Sequence, residues 1–107
     1  MTKPKVSKLR IKEKDLVKSI LDYLNARKIF CWRHNTGGFM KENHFYRFGD
    51  LGSCDIFALK DGKLYGIEAK GTEGKQSEGQ KDYQKRFEKA GGNYLLCYLL
   101  DDVINNL

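Results

Sequence analysis

An α/β domain, with a mixed central β-sheet flanked by α-helices in the order α-β-β-β-α-β-α, is what this 107-residue sequence predicts. Three features carry the prediction. Apolar residues recur at helical spacing between residues 12 and 28, two β-rich runs flank an Asp61-Gly62 turn, and a capped helix separates that hairpin from a last apolar run. A hairpin followed by a helical crossover into a further strand requires a sheet with both antiparallel and parallel pairs, covered by helices.

Residues 1–10 carry Lys3, Lys5, Lys8 and Arg10 with the sole proline, Pro4, and are expected to form a flexible basic arm ahead of a single domain over residues 11–107. In the first helix, Leu16, Val17, Ile20, Leu21 and Leu24 recur three and four residues apart, the spacing of one buried face. Glu13 falls on the N-terminal end of that face. It is either a first-turn acid favoured by the helix dipole or a carboxylate aimed at the interior. Residues 29–33, β-branched and aromatic, read as a first strand.

Residues 34–52 read as a loop. It holds Gly37, Gly38, Gly49 and Gly52 among His34, Asn35, Lys41, His44, Tyr46 and Arg47, with Arg33 just before it. Basic, amide and aromatic groups on a flexible backbone suit contacts to phosphates and bases, although a solvated loop has the same composition. His34 and His44 have no third partner at ligand spacing and read as polar contacts.

The runs 53–59 and 64–70 read as strands joined by Asp61-Gly62, the strongest short hairpin signal because both turn positions must tolerate positive φ. If Lys60 faces Lys63, then Leu59 meets Leu64, Phe57 meets Gly66, and Asp55 meets Glu68. Directly opposed residues have Cβ atoms roughly 4.5 to 5.5 Å apart, and like charges there repel. A divalent cation between the two acids resolves the conflict, and oxygen ligands suit Mg²⁺ or Mn²⁺. The alternation of side chains puts Lys70 on the face of Glu68, where its ammonium can meet a phosphate or an attacking water. Two acids and a lysine on one face make a site suited to phosphodiester cleavage.

After a polar connector containing Lys75, Ser77-Glu78-Gly79-Gln80 matches a capping box. The helix it opens is expected from Glu78 to about Ala90, with Tyr83, Phe87 and Ala90 facing inward and Gly91-Gly92 ending it. Residues 93–100 read as an interior strand, and Asp101 or Asp102 as the cap of a brief last helix.

Bulk properties narrow the function classes. Apolar residues make up 40% and charged residues 32%, with 20 Lys and Arg against 14 Asp and Glu for a formal charge of +6, a balance that favours a polyanionic partner. Cys31, Cys54 and Cys97 have no paired spacing, which argues against zinc and for buried free thiols in a reducing compartment. The N-terminus has no apolar targeting segment and the longest apolar run, 94–100, is too short to span a bilayer. A cytoplasmic protein with no membrane partner is expected.

Taken together, these residues resemble a known family. Glu13 on a first helix, Asp55 and Glu68-x-Lys70 on adjacent strands and Gln80 opening the next helix look like the restriction-endonuclease-like PD-(D/E)XK fold. More specifically, Arg33-x-Asn35-x-Gly37, Gly52-x-x-Asp55-Ile56, Gly66-Ile67-Glu68-Ala69-Lys70, Ser77-x-x-Gln80 and Ala90-Gly91-Gly92 are similar to the virus-type replication-repair nuclease domain, VRR-NUC, over roughly residues 12–105. Cys54 stands where the superfamily name has proline.

The resemblance implies a Mg²⁺-dependent deoxyribonuclease, with Mn²⁺ able to substitute, of the standalone phage or prophage type and acting in a bacterial host. It further implies a structure-selective endonuclease related to Holliday-junction resolvases. Asp55, Glu68 and the Ala69 carbonyl would hold the metal, with Glu13 acting through a water. Lys70 would orient or deprotonate the attacking water or stabilise the transition state, and Gln80 would position water or substrate. Arg33, Asn35, Lys41, Arg47 and Lys75 are the candidate DNA contacts. Cutting two strands needs two sites, so a homodimer is expected. The alternatives are a nucleic-acid-binding module that keeps the fold without cutting, and a basic structural protein, which has no need of paired carboxylates.

Overall fold

Helix α1 (Glu13–Ala26) buries the stripe its spacing predicts, with Leu16, Val17, Ile20 and Leu24 turned inward. The computed structural model describes residues 10–34, 37–48 and 52–107, apart from the side chains of 37–39 and 47–48. The expected basic arm therefore lies, but for Arg10, outside the described residues. At the end of α1 the Ile29 amide donates to the Leu24 carbonyl at 2.9 Å and Lys28 takes the left-handed conformation at φ 58°. This closes the helix and turns the chain directly into β1 (Phe30–Arg33).

The segment expected to be a loop holds a hairpin instead. Strands β2 (Gly37–Lys41) and β3 (His44–Phe48) pair antiparallel around Glu42-Asn43, whose φ values are 52° and 61°. Two positive φ values in a two-residue loop match the twist of paired strands. Asn tolerates that conformation and Glu rarely adopts it, so the sequence carries no ordinary turn signal there. The ribbon forms a separate two-stranded sheet, with Met40 and Phe45 opposite each other and exposed. Its described side chains, residues 40, 41 and 44–46, are all exposed and show no buried alternation.

Strands β4 (Ile56–Lys60) and β5 (Lys63–Ala69) form the predicted hairpin, with Leu59 opposite Leu64 and Phe57 opposite Gly66. Helix α2 (Glu78–Lys89) crosses over to β6 (Asn93–Cys97), which runs parallel to β5, and α3 (Leu100–Ile104) follows. The main sheet is thus mixed, in the order β1-β4-β5-β6. With the extra hairpin, the chain order is α-β-β-β-β-β-α-β-α rather than the shorter one expected.

Three local expectations need correction. Strand β6 is an edge strand, not an interior one, because among the described residues no further strand pairs beyond it; its apolar residues are covered by helices. Ala90 is exposed at the C-cap of α2 rather than facing inward, and Phe87 is the last residue of the helix packed on the sheet. Asp102 lies inside α3 and reaches back, accepting from the Tyr98 and Leu99 amides at 2.8 and 3.0 Å.

Side-chain alternation divides the core into two layers. Leu16, Ile20 and Leu24 of α1 and Val103 of α3 pack on Ile56, Ala58, Ile67 and Ala69. On the other face Tyr83 and Phe87 of α2 cover Cys54, Phe57 and Tyr94. None of the helices among the described residues is long and apolar enough to cross a membrane.

Ile67→Ala, at a fully buried position, is expected to cost about 2–5 kcal/mol in urea unfolding. Met40→Ala on the separate ribbon is expected to stay within about 0.5 kcal/mol. Comparable losses at both positions would mean that the ribbon belongs to the core.

Candidate metal centre

The hairpin ladder stops at Ile56 opposite Ile67, one pair short of Asp55 and Glu68. The Asp55 amide donates to the Ile67 carbonyl at 3.0 Å, so Asp55 and Ile56 both face Ile67, the two-against-one count of a β-bulge. The bulge re-aims Asp55. Its Oδ2 accepts from the Ala69 amide at 2.9 Å, across the end of the sheet where β4 begins and β5 finishes.

The N-terminus of a helix reaches this end of the sheet from either face. On one side Ile11 donates to the Thr72 hydroxyl at 2.8 Å and Thr72 returns a bond to the Ile11 carbonyl at 3.0 Å. This clamp lays the start of α1 over Gly71, where an added Cβ would lie 3.0 Å from the Ile11 carbonyl and 3.2 Å from the Glu13 nitrogen. On the other side a Cβ on Gly52, which also has φ +82°, would lie 2.4 Å from the Gly79 carbonyl. The chain before β4 can therefore press against the first turn of α2.

The result is a cluster of three acids: ligand oxygens of Glu13, Asp55 and Glu68 lie within 4.8 Å of one another. Glu13 is exposed, Asp55 half-buried, and Glu68 only 1% exposed. Gln80 joins the helix cap to the cluster. Its Oε1 accepts from the Ser77 amide at 2.9 Å while its Nε2 donates to Glu68 Oε1 at 2.8 Å, so the expected cap also holds a carboxylate of the cluster. Lys70, itself 8% exposed, places Nζ 3.7 Å from the same Oε1. Glu68 Oε2 is buried with no hydrogen-bond partner.

Burial pushes the Glu68 carboxyl up to about 8, with the Asp55 charge adding to the rise and Lys70 opposing it. Asp55 is also raised by burial, held back by the Ala69 amide and the charges of Lys70 and Arg33. The pair titrates as a unit. Among the described residues, Lys70 is the one basic side chain within 4 Å of a cluster carboxylate, too little to balance three acids. A shared proton or a divalent cation must supply the rest. The donor set fits a small hard cation: carboxylate oxygens converge on one point and one oxygen is dry and unpaired.

Of the expected nucleic-acid contacts, Arg33 ends β1 close enough to act on Asp55 and lines a cavity of about 220 Å³ with Lys14 and Lys18. Lys41 sits at the tip of the β2–β3 ribbon and Lys75 on the connector, both exposed. Asn35 and the side chain of Arg47 lie outside the described residues.

Sequence reasoning passed over Gln76, whose Nε2 reaches Gln84 Oε1 at 2.9 Å and the Tyr94 hydroxyl at 3.2 Å. Tyr94 lies close enough to the cluster that Glu68 and Asp55 help, after burial, to raise its pKa. Gln76 lies on the connector just before the Ser77 cap, outside the helical spacing that links Gln80 and Gln84, so no periodicity announced it. Compared with known proteins, the sequence matches no family model and no curated protein.

The raised carboxyl has a testable sign. The metal-free fold keeps the Glu68 proton up to about pH 8, while the unfolded chain releases it near the ordinary 4.5, so the native state binds more protons in that window and loses stability as pH rises through it. Melting temperature in EDTA is expected to fall between pH 4.5 and 8, and Glu68→Gln to flatten the fall. Mn²⁺ is expected to raise it most at the alkaline end. A flat wild-type profile would show Glu68 already ionised and paired with Lys70.

Proposed function

We propose that this chain is a Mg²⁺-dependent deoxyribonuclease of the PD-(D/E)XK superfamily, similar to the VRR-NUC group, with Mn²⁺ able to substitute. The observation that carries the reading is the dry, unpartnered Oε2 of Glu68, on a side chain clustered with two further carboxylates beside a nearly buried lysine. A purely structural ion pair has no use for a third acid or an orphan oxygen.

In this reading Asp55 and Glu68 hold the cation directly with the Ala69 carbonyl, and Glu13 contacts it through a water. When bound, the cation lowers the pKa of a nearby water and neutralises charge on the phosphate. Lys70 orients the attacking water and stabilises the charge that builds on the phosphoryl oxygens. Gln80 fixes the Glu68 carboxylate by holding Oε1, which leaves Oε2 for the cation. Arg33, Lys14 and Lys18 offer positive charge for a flanking phosphate. The substrate is DNA, branched or four-way in the structure-selective form of the proposal, and a homodimer would present two such sites for two strands.

Glu68→Gln is expected to lower single-turnover cleavage by about 10³ or more, while DNA affinity in EDTA holds or rises because a carboxylate near phosphates repels them. Lys41→Ala should act in the opposite sense, weakening affinity and flattening the salt dependence by up to about one unit. Near wild-type cutting by Glu68→Gln with Mg²⁺ still required would place the cation elsewhere. Cation-independent binding with no cutting of linear or branched DNA would mark a binding module.

Gln80→Ala should cost on the order of 1 kcal/mol or less in stability as a lost cap, yet slow cleavage tenfold or more by releasing Glu68. Activity that falls only in step with the folded fraction would reduce Gln80 to a cap.

A further inference from the structure

The α2 face of the main sheet is only partly covered. Phe30, Trp32 and His34 alternate along β1 onto that face, opposite Leu59, Phe57 and Asp55 of the β4 segment. Helix α2 covers the half over β5 and β6, where Phe87 packs against Phe57, Tyr83 and Tyr94. Phe30 remains 70% and Trp32 40% exposed, with Leu59 exposed beside them, and among the described residues no helix lies over this half.

The exposed rings are braced. Trp32 stacks on Phe57 at 5.7 Å with 29° between planes, Phe30 meets Trp32 edge-on at 5.9 Å, and Phe57 is itself buried against Phe87. Trp32, held by its stack on the buried Phe57 ring beside it, is pre-organised for contact, because little of its side-chain freedom is left to lose.

Position and charge select the occupant. The row runs along β1 into the carboxylate cluster: the His34 amide donates to the Asp55 carbonyl at 2.7 Å and its ring edges onto Phe57 at 5.2 Å. Lys28 precedes the row and Lys70 stands at its cluster end, whereas Arg33 lines the α1 side of the sheet and Lys60 is bonded to the Leu107 carbonyl on that same side. Rings that lead to the proposed phosphodiester-cleaving centre and its Lys70, on a chain of charge +6, match an unpaired nucleic-acid strand: bases have faces to stack and phosphates have charge to neutralise. A second copy of the chain carries the same net positive charge, so that complementarity is lost.

We propose that Phe30 and Trp32 form a stacking platform for unpaired nucleobases of DNA, which delivers a single-stranded segment to the Asp55–Glu68 centre. This rests on the nuclease reading and specifies its substrate: DNA with an unpaired arm or flap rather than blunt duplex.

Trp32 is the only tryptophan in the chain, so its emission reports on this face directly. The experiment titrates the protein in EDTA with an oligothymidylate and with a blunt duplex, and measures Mg²⁺-dependent cleavage of flapped DNA in parallel. The oligothymidylate is expected to quench Trp32. With affinities read from the anisotropy of labelled DNA, since the Trp32 variants lose the emission signal, Phe30→Ser and Trp32→Ala should each lower the ratio of single-strand to duplex affinity about tenfold, with Trp32→Phe restoring most of it; circular dichroism checks that each variant folds.

Emission unmoved by oligothymidylate while flapped DNA is still cut would overturn the platform and leave the nuclease reading standing. Quenching without any cutting would sink the nuclease reading and keep the platform. Emission that depends on protein concentration without DNA, together with a dimer in sedimentation that is lost in Phe30→Ser, would assign the face to self-association and overturn the proposal.

Discussion

Taking the Glu68 carboxylate out of water is the constraint around which the rest of the site is arranged. A carboxylate buried at the end of a sheet needs compensation for its lost hydration, and removing a single ionised group from water costs several kcal/mol even after relaxation. Gln80 satisfies one oxygen by a direct hydrogen bond and Lys70 stands at ion-pair distance from the same atom. Among the described residues no protein donor reaches the other oxygen, and the Asp55 carboxyl lies within hydrogen-bond reach of the Glu68 side chain, so a shared proton or a cation is what can join them. Leaving a buried acceptor unmade costs about 1–3 kcal/mol, more for a charged group. Violations of this kind belong at functional sites, where a ligand relieves them.

That constraint explains why such different parts of the chain meet at one place. The bulge at Asp55 breaks the ladder just where regular pairing would aim its side chain by the sheet alone, and the Ala69 amide then fixes the carboxylate. The Ile11–Thr72 clamp over Gly71 brings Glu13 in from the α1 face. The capping box of α2 brings Gln80 from the opposite face, so the bond that starts a helix also orients a carboxylate. The site therefore depends on elements whose contribution to stability is modest, and substitutions there should change function before they change folding.

Much of this was legible because local chemistry fixes it. Asp61-Gly62 sets the β4–β5 register, and Ser77 with Gln80 sets the start of α2, both through contacts within a few residues. The β2–β3 ribbon was illegible: Glu42-Asn43 is an unusual pair for two positive φ values, and the ribbon's described side chains, all exposed, have no core face to impose alternation. Edge or interior position for β6 could not be read either, since it depends on how many strands the rest of the chain supplies. The register argument aimed Asp55 at Glu68 by regular pairing, whereas the carboxylates converge through a bulge that no pattern in the sequence announces. The braced aromatic row of β1 read simply as strand propensity, because exposure is decided by how far α2 extends across the sheet.

The central claim is that the orphan oxygen of Glu68 is a cation ligand. Anomalous diffraction from crystals soaked in Mn²⁺ tests it most directly. The account predicts one peak about 2.1 Å from carboxylate oxygens of both Asp55 and Glu68, with Glu68 Oε1 still bonded to Gln80, and no such peak in Glu68→Gln. Wild-type crystals with no peak between these carboxylates, and with Lys70 closed onto Glu68 Oε2, would contradict it.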